Sequence, residues 1–559
     1  MQSLTMSQSQ VHPSRKILLV VTTGGFTHAA PVLEIGRVLA ERGHEIEFAT
    51  LQGQESWVKP DYDFVNKLHQ LGPGPTPDQL DGHYRRMQAW DISKGIGQAM
   101  GSKYLFDSFW PQTYHRLKEI MEDPATRPDM IVADFFVEAA NDIHFEYKLP
   151  IAVVCPNMPA FQLPCSYIPG KPGFQLPGTL TSEDTPMWLR MMNEVFFFPD
   201  LPAIIRASKW SQKLRSDNGV CYPPHKPSKP DYLILVNSFF GLEIPRDLPP
   251  TAAPVGPLLS PTYPPLDPEC GAFLATHQSV LYIALGTHII LPHKDAAKII
   301  QAANRLQEDG LIDGVIWAMG KTCRADLDRS ASFPVNPGDA KEITLGDLLD
   351  NKHPDWVFPF FAPQRAVLDS ESTKLYFTHG GGSSANEGLY HGKPMLSMGI
   401  FSDQIANTAR LVAGGVAESL SKLGFTSDEV YEKAKKILKS ENETYSQNVL
   451  RLQRIAHVAS RRKYHAADLI EELMYDNELR FKDGTELRPM HLQTADMRIS
   501  AFKAKNWDLY AVSGLALAAV VGSTWMAGHF AWRFRGPVIG QVRSTALAGW
   551  EALKNTIYK

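Results

Sequence analysis

The first half of the chain alternates short apolar runs with longer segments whose apolar residues recur every three or four positions. Between the first two runs, Pro31 opens a segment with helical spacing and Gly43 ends it. This alternation of strand and helix predicts a doubly wound parallel sheet with helices on both faces. The apolar runs predict its strands at residues 17–22, 46–49, 130–133 and 151–154.

The alternation starts again after a proline-rich stretch at residues 254–268, which is typical of a linker between domains. A second sheet domain is therefore predicted over residues 269–445, and the pattern from 445 to 475 is strongly helical. Five apolar runs supply the strand candidates of this domain: 279–285, 315–319, 356–360, 374–378 and 395–398.

Residues 156–230 follow neither pattern and read as irregular, rich in proline, methionine and aromatic side chains. Loops over the carboxyl ends of a parallel sheet commonly build a ligand pocket, and an apolar lining here would suit a lipophilic molecule. A helix packed against the core fits the same composition equally well. The sequence leaves these two interpretations open.

A long uncharged segment lies close to the carboxyl terminus. Residues 509–532 contain no Asp, Glu, Lys or Arg. This uncharged run is long enough to span a bilayer as a helix. Lys505 and Arg533 flank the segment, and Trp507 and Trp532 lie near its ends, where interfacial aromatic residues are found. We expect one membrane helix here, with a buried helix of the globular fold as the alternative. Basic residues on both sides leave its orientation open.

Bulk properties narrow the function classes. The 559 residues carry a net charge of −4, and without a basic excess a nucleic-acid partner is not expected. The five cysteines form no CxxC pair, which argues against a structural zinc site and favours a reducing compartment. The polar residues 1–16 lack the apolar core of a secretory signal, and the short apolar run after them fits a first strand better.

The most informative stretch is FTHGGGSSANEGLYHGKPMLSMGIFSDQ, which begins at Phe377. An apolar strand runs into His379 and three glycines, a helical segment carrying Glu387 follows, and Asp403 and Gln404 come after a second strand. The glycines let a ligand approach the backbone, and the helix start behind them aims free N–H groups at phosphate. Carboxylate and amide side chains suit sugar hydroxyls. Together these features predict a nucleotide-sugar site.

Two residues of the first half are candidates for acid–base chemistry. His28 follows the first strand on the loop TTGGFTH, at the carboxyl edge of the predicted sheet, where ligands bind. Imidazole titrates near neutrality and can accept a proton from an alcohol or phenol. Asp134 ends the strand MIVAD at the same edge, where its carboxylate can orient the imidazole. Asp129 and Asp142 are its rivals.

The fixed spacings of the glycine-rich stretch closely resemble the signature of the UDP-glycosyltransferase superfamily, glycosyltransferase family 1. The segment Phe361-Ala362-Pro363-Gln364 resembles the first element of that signature, and the loop around His28 resembles the opening motif of the family. The tail is similar to the end of animal members, which finish in a membrane helix. Those members also have a cleaved signal and a lumenal catalytic domain, which this sequence does not suggest.

The resemblance implies a role for each matching position. His28 is the implied catalytic base and Asp134 its orienting acid. Phe361, where many members have Trp, would stack on uracil, and Glu387 would bind the ribose hydroxyls. The full implied set of donor-binding residues is Gly286, Thr287, Phe361, Ala362, Gln364, His379, Gly381, Gly382, Ser383, Ser384, Glu387, Asp403 and Gln404.

The same resemblance implies an α/β GT-B fold, with two doubly wound Rossmann-like domains facing across a cleft and a hydrophobic helix at the C-terminus. We expect an acceptor-binding domain over 1–253, a linker over 254–268 and a UDP-sugar-binding domain over 269–445. Crossover helices that brace the first domain and an extension would follow to 508, and the membrane helix at 509–532 would precede a short tail, 533–559.

The implied activity is inverting, metal-independent transfer of a hexose, with an inclination to glucose, from a UDP-sugar to a hydroxyl group. The acceptor would be a lipophilic small molecule such as a secondary metabolite, phenol, sterol or hydroxylated lipid. No cofactor is expected beyond the UDP-sugar co-substrate. The expected location is the endoplasmic reticulum membrane, with cytosolic catalytic domains. The alternatives are a nucleotide-sugar epimerase or hydrolase on the same fold, and a non-catalytic membrane-tethered binder.

Overall fold

The computed structural model places two parallel sheets in one compact unit that runs up to Leu492, and a long helix in a second unit from Gln493 to Lys559. The sheets confirm the predicted two Rossmann-type layers of an α/β chain. The predicted domain boundaries, including the linker, stay predictions. The structure describes residues 12–58, 61–95, 97, 100–159, 163, 186–195, 198–223, 230–286, 289–334, 342–439, 443–482, 485–489 and 491–557.

Strands of the first sheet are all parallel and follow the order β3-β2-β1-β4-β5-β6-β7. The chain winds outward in both directions from β1 and β4, so the carboxyl ends of these two strands form the switch point where ligands bind in such sheets. The strands are β1 Lys16–Val20, β2 Glu45–Thr50, β3 Val65–Gln70, β4 Met130–Asp134, β5 Ile151–Cys155, β6 Leu233–Val236 and β7 Ala252–Pro254.

Helices cover both faces of this sheet. Alternate residues of β1 enter different cores: Ile17 and Leu19 pack on one face, and Leu18 and Val20 on the other. The helices are α1 Phe26–Glu41, α2 Pro77–Ala89, α3 Met100–Asp107, α4 Trp110–Glu122, α5 Glu138–Tyr147, α6 Met187–Val195 and α7 Leu201–Asp217, with 3₁₀ turns at Glu55–Trp57, Ile92–Lys94 and Phe198–Asp200.

The second sheet is also parallel, in the order β12-β9-β8-β13-β14-β15, and its switch point lies between β8 and β13. A small antiparallel pair, β10 with β11, lies outside it. The strands are β8 Val280–Ala284, β9 Gly314–Ala318, β10 Ser332–Pro334, β11 Glu342–Thr344, β12 Trp356–Val357, β13 Thr373–Thr378, β14 Met395–Ser397 and β15 Ala417–Ser419.

The helices around the second sheet lead into a long helix, α17, that returns to the first. Ala466, Ile470 and Leu473 of α17 lie in the same core as β1. A short hairpin, β16 Phe481–Lys482 with β17 Thr485–Glu486, follows. The helices are α8 Pro268–Thr276, α9 His293–Glu308, α10 Lys321–Ala325, α11 Leu345–Leu349, α12 Gln364–Asp369, α13 Gly382–Tyr390, α14 Asp403–Ala413, α15 Ser427–Leu438, α16 Glu443–Ala459 and α17 Arg462–Arg480.

The second unit contains a 3₁₀ turn, Ala495–Met497, the short helix α18, Ala501–Ala504, and the 51-residue helix α19, Trp507–Ile557. The apolar run predicted at 509–532 occupies its first half. By length and composition alone, this helix is long and apolar enough to cross a membrane.

Some elements differ from the sequence prediction. All nine predicted strands are present, but the one predicted at 356–360 is shorter, ending at Val357. The prediction of an irregular segment at 156–230 is wrong where α6 and α7 form, because their apolar spacing is masked by neighbouring prolines and aromatics. Residues 160–162, 164–185, 196–197 and 224–229 of that segment lie outside the described residues. The strands not predicted are β3, β6, β7 and β15 of the two parallel sheets and the short antiparallel strands β10, β11, β16 and β17.

Candidate active site

The loop after β1 carries His28 into the first turn of α1. Gly24 has a φ of 88°, and a Cβ added to it would lie 2.4 Å from Cδ2 of His28. Gly25, with a φ of 78°, precedes the helix, and its carbonyl accepts a hydrogen bond from the His28 backbone N–H at 3.0 Å. The two glycines thus provide both the left-handed backbone and the space that the imidazole ring occupies.

The His28 ring contacts the carboxylate at the end of β4. Nδ1 of His28 lies 2.9 Å from Oδ2 of Asp134, which is 2% exposed, and the other oxygen of Asp134 accepts from the Phe136 backbone N–H at 3.0 Å. The rings of Phe135 and Phe136 stack against His28 with centroids 5.7 and 4.8 Å away. Because Nδ1 faces the carboxylate as a donor, Nε2 is the nitrogen left to accept a proton.

Burial and two carboxylates decide the pKa of His28. Burial lowers this pKa, but the field of Asp134, the hydrogen bond to the same carboxylate and the field of Asp403 together raise it above the usual 6.5. Asp403 begins α14 beside the second sheet. His28 of the first sheet and Asp403 of the second therefore share one electrostatic environment.

The rival aspartates lie elsewhere. Asp129 precedes β4, at the opposite edge of the sheet, and accepts from the backbone N–H of Lys16 at 2.9 Å. Asp142 lies on α5, where it accepts from the indole of Trp110 at 2.9 Å and pairs with Arg215. Among the three candidates, the described contacts join only Asp134 to the histidine.

A narrow glycine cradle lies at the switch point of the second sheet. Gly286, after β8, has a φ of 87°, and a Cβ on it would lie 2.9 Å from the His379 ring; a Cβ on Gly381 would lie 2.5 Å from His379 Nε2. His379 thus lies between the loops that follow β8 and β13. Helix α13 begins at Gly382 and directs the free N–H groups of its first turn, which includes Ser383 and the buried Ser384, toward this edge. The predicted Thr287 lies outside the described residues.

The predicted nucleoside residues form a hydrogen-bonded chain. Nε2 of Gln364 donates to Oε2 of Glu387 at 2.6 Å, and the Tyr376 hydroxyl donates to Oε1 of Gln364 at 3.1 Å. Burial raises the pKa of Glu387, against the hydrogen bond from Gln364, which lowers it. Phe361 keeps 75% of its surface exposed while the adjacent Ala362 is buried, so a flat apolar face is presented near the Gln364–Glu387 pair.

Asp403 and Gln404 begin α14 on the loop after β14. Oε1 of Gln404 accepts from the backbone N–H groups of Ile400 and Phe401, both at 3.2 Å, which holds this loop folded. Oδ2 of Asp403 accepts from the side chain of Asn407 at 3.1 Å. Burial raises the pKa of Asp403, although the charges of His28 and Arg410 act to lower it.

Sequence reasoning missed the residues that join the two sheets at this edge. The side chain of Asn386 donates to the carbonyl of Asn237 at 2.9 Å, and Arg410 forms a buried ion pair with Glu243 at 2.8 Å. The first contact joins α13, and the second joins α14, to the loop after β6. No motif marks them, because each pairs residues more than 140 positions apart.

Comparison with known proteins agrees with this geometry. Residues 152–462 match the family described as UDP-glucoronosyl and UDP-glucosyl transferase. A UDP-glycosyltransferase of Talaromyces amestolkiae is 43% identical over 533 residues, which cover 94% of this chain and 100% of that relative. UDP-glycosyltransferase FPY2 of Fusarium mangiferae is 40% identical, over 89% of this chain and 95% of that relative.

The fold has solved counterparts as well. The crystal structure of the glycotransferase of kitacinnamycin superposes with a TM-score of 0.57 at 19% identity, over 82% of this chain and 99% of its own. That likeness concerns the fold alone and identifies it as GT-B. With the identities above, it follows that this chain belongs to the UDP-glycosyltransferase family and is an enzyme that transfers a sugar from a UDP-sugar donor.

Proposed function

We propose that this UDP-glycosyltransferase transfers glucose from UDP-glucose to a hydroxyl of a lipophilic small molecule, with inversion and without a metal ion. The observation that carries the proposal is the 2.9 Å contact between His28 and Asp134. It lies at the switch point of the first sheet, in the field of Asp403 from the second. In this proposal, a base on the first sheet acts on a donor held by the second.

In the proposed reaction, Nε2 of His28 accepts the proton of the acceptor hydroxyl while its oxygen attacks the anomeric carbon. Asp134 holds the ring in the required tautomer and stabilises the imidazolium that forms. The bond from the anomeric carbon to the diphosphate oxygen breaks, and UDP leaves with the electron pair. A single direct displacement inverts the anomeric centre.

The charge that develops on the leaving diphosphate has neutralising partners in the protein. The N-terminus of α13 offers N–H groups and the positive end of the helix dipole, and His379 lies beside the glycine cradle. Within the described ranges, no three His, Cys, Asp or Glu side chains come close enough together to hold a metal ion. We therefore expect transfer to continue in the presence of a chelator.

The charges around Asp403 favour glucose over glucuronate as the donor sugar. The cations that act on this carboxylate in the described part of the chain are His28 and Arg410. Arg410 already pairs with Glu243, and His28 is engaged with Asp134. A sugar carboxylate held beside Asp403 would therefore meet repulsion without a free counter-charge, whereas sugar hydroxyls would find acceptors there.

Exposed apolar side chains in the first half of the chain support a lipophilic acceptor from secondary metabolism. Phe135 is partly exposed beside His28, and α6 exposes Met187, Trp188 and Met191. The apolar half of α19 supports attachment to a membrane, for which we propose the endoplasmic reticulum with the catalytic domains in the cytosol. Lipid-soluble acceptors would be concentrated at such a surface.

The test is incubation of the purified chain with several UDP-sugars and a panel of phenols, sterols and hydroxylated lipids, followed by mass spectrometry of the products. His28→Ala should lower transfer by about 10²–10⁴-fold, the usual contribution of a general base, while UDP binding is kept. His465→Ala, which changes an exposed histidine of α17, is the matched control and should transfer normally.

Two results would contradict the proposal in different ways. Wild-type transfer by His28→Ala would mean that another group is the base. Release of UDP without any glycoside, across the whole panel, would favour the hydrolase alternative on the same fold.

A further inference from the structure

The loop between β12 and α12 has no regular secondary structure, yet it carries the exposed ring of Phe361. Its far end is held by Gln364, through the hydrogen bonds to Glu387 and Tyr376. Its near end begins at Phe358, whose backbone N–H donates to Oδ1 of Asn351 at 2.7 Å. An exposed ring offers a useful stacking face only if its backbone is kept in one place.

The guanidinium of Arg324 holds the near end of this loop. Nε donates to the carbonyl of Met319 at 2.9 Å, Nη1 donates to the carbonyl of Leu349 at 3.3 Å, and Nη2 donates to the carbonyl of Phe358. The same group lies over the ring of Phe360, with Cζ 3.8 Å from the centroid. One side chain therefore ties together the ends of β9, α11 and β12 and supports the residue next to Phe361.

These contacts depend on the planar, forked shape of arginine. Three N–H directions meet three carbonyls while the guanidinium lies over an aromatic ring, which an ammonium group cannot reproduce. Arg324 forms no ion pair within the described residues, although the charges of Glu269 and Asp350 act on it. Burial lowers its pKa, the charge of Arg329 acts in the same direction, and those two carboxylates act to raise it. The hydrogen bonds to three carbonyls and the contact with the ring are therefore what the shape of this side chain supplies.

We infer that Arg324 is a positioning residue for the nucleobase of the donor: its guanidinium holds the 358–363 loop so that Phe361 is pre-ordered for stacking. This inference rests on the proposed function, and on the stacking of Phe361 on uracil that the family resemblance implies. Arg324 does not touch the reacting atoms. It acts on donor affinity through Phe361 and leaves the chemical step to His28 and Asp134.

The test compares Arg324→Lys with the wild-type chain by titration with UDP and by steady-state kinetics with UDP-glucose. The Kd of UDP and the KM of UDP-glucose should rise about tenfold, the loss expected for one misplaced aromatic stack, while kcat stays within about twofold. Inorganic pyrophosphate has no nucleobase to stack on Phe361, so its inhibition constant should be unchanged. Phe360→Leu, which removes the ring beneath the guanidinium, should shift the same constants in the same direction and by less.

The matched control is Arg329→Lys. Arg329 donates to the carbonyl of Gly346 and to Asp350 but does not contact the 358–363 loop, so its replacement should leave the Kd of UDP unchanged. The decisive arm is the double variant with Phe361→Ala. If Arg324 acts through Phe361, adding Arg324→Lys to Phe361→Ala should weaken UDP binding little further.

Each remaining outcome identifies which statement fails. Unchanged UDP affinity in Phe361→Ala alone would overturn the proposed stacking role of Phe361, and with it this inference. Weakened affinity in Phe361→Ala together with normal affinity in Arg324→Lys would overturn the inference and leave the proposed function intact. If Arg324→Lys weakened the binding of UDP and of pyrophosphate equally, the inference would fail, because Arg324 would then serve the general stability of the second sheet.

Discussion

The position of the His28 ring is set by three neighbours that act in three different ways. Asp134 fixes it by charge and a hydrogen bond, Phe136 by stacking, and Gly24 by having no side chain. The absence of a Cβ at Gly24 is as much a part of the site as the carboxylate. This dependence can be tested against Gly43, which also has a positive φ but has no atom within 4 Å of an added Cβ.

Gly24→Ala should damage catalysis far more than stability. The new Cβ would overlap the imidazole, and displacement of the base by about 1 Å can lower the rate about 100-fold. Gly43→Ala is the matched control, because Gly43 has a φ of 92° with no atom within 4 Å of an added Cβ. Both variants should lose about 1 kcal/mol from the left-handed backbone, but Gly43→Ala should keep kcat. Equal kcat in the two variants would contradict the argument.

The pH dependence of transfer should report the raised pKa of His28. A base must be neutral, so kcat/KM should fall as pH falls, with a midpoint above the usual 6.5. Asp134→Asn removes the leading cause that raises this pKa and leaves burial, which lowers it, so the midpoint should move to lower pH. The maximal rate should also fall by about 10³–10⁴-fold, as the tautomer is no longer fixed. A midpoint that stays in place would mean that Asp134 is not the charge partner.

At the scale of elements, α17 shows how a helix of the second half stabilises the first sheet. The sequence predicted helix over 445–475 but not the break after Ala459, nor which face packs against which core. Leu473 is 4% exposed in the core of the first sheet, while Leu479, less than two turns on, is 77% exposed. Lys463 at its start forms a buried ion pair with Glu34 of α1 at 3.3 Å.

The two leucines provide a matched pair for measuring this packing. Leu473→Ala should lower the free energy of unfolding by about 2–5 kcal/mol, because it leaves a cavity in the core. Leu479→Ala should change it by less than about 0.5 kcal/mol, as exposed substitutions generally do. Urea unfolding in mild detergent, followed by circular dichroism, measures both. Similar losses in the two variants would mean that α17 does not pack on the first sheet through its Leu473 face.

Most strands with strong apolar runs were predicted from the sequence, but the run LILV of β6 was missed, and so were the weaker strands. β3, VNKLHQ, is an edge strand and therefore contains mostly polar residues, and β15 is only three residues long. Neither forms a recognisable apolar run. The site residues that follow predicted strands, such as His28 and Asp134, were placed at the correct edge because parallel strands share one carboxyl edge. Arg324 and Asn386 carry no local signal, since their roles come from partners distant in the sequence.

At the scale of the whole molecule, the catalytic unit is one body only because contacts cross between its sheets. The pair of Arg410 with Glu243 is buried, and removal of one partner of such a pair leaves an uncompensated charge. Two further contacts join the halves of this unit: Arg85 of α2 binds Asp326 at 2.6 Å, and the ring of Tyr84 stacks on Phe401. The proposed base and the proposed donor residues therefore depend on contacts that neither sheet makes alone.

The last prediction concerns α19 as a membrane anchor. A helix of 51 residues is about 75 Å long, whereas a bilayer core is about 30 Å thick, so only part of it can be inside a membrane. The uncharged residues 509–532 match that thickness, and the following half carries Arg533, Arg535 and Arg543. We therefore expect the full chain to sediment with membranes, resist alkaline carbonate and be released by detergent, while a chain lacking 509–559 stays in the supernatant and glycosylates water-soluble acceptors.

Charge variants separate insertion from simple adhesion of an apolar helix. Ala519→Lys with Val521→Lys should release the full chain, because two central lysines oppose insertion by about 5–7 kcal/mol. The same two changes beyond the apolar run, Ala546→Lys with Ala548→Lys, should leave it in the pellet. Release by both pairs would indicate adhesion along the whole helix, and sedimentation of the truncated chain would place the membrane contact in the catalytic unit. In either case lipophilic acceptors would reach His28 by a route that does not require a spanning α19.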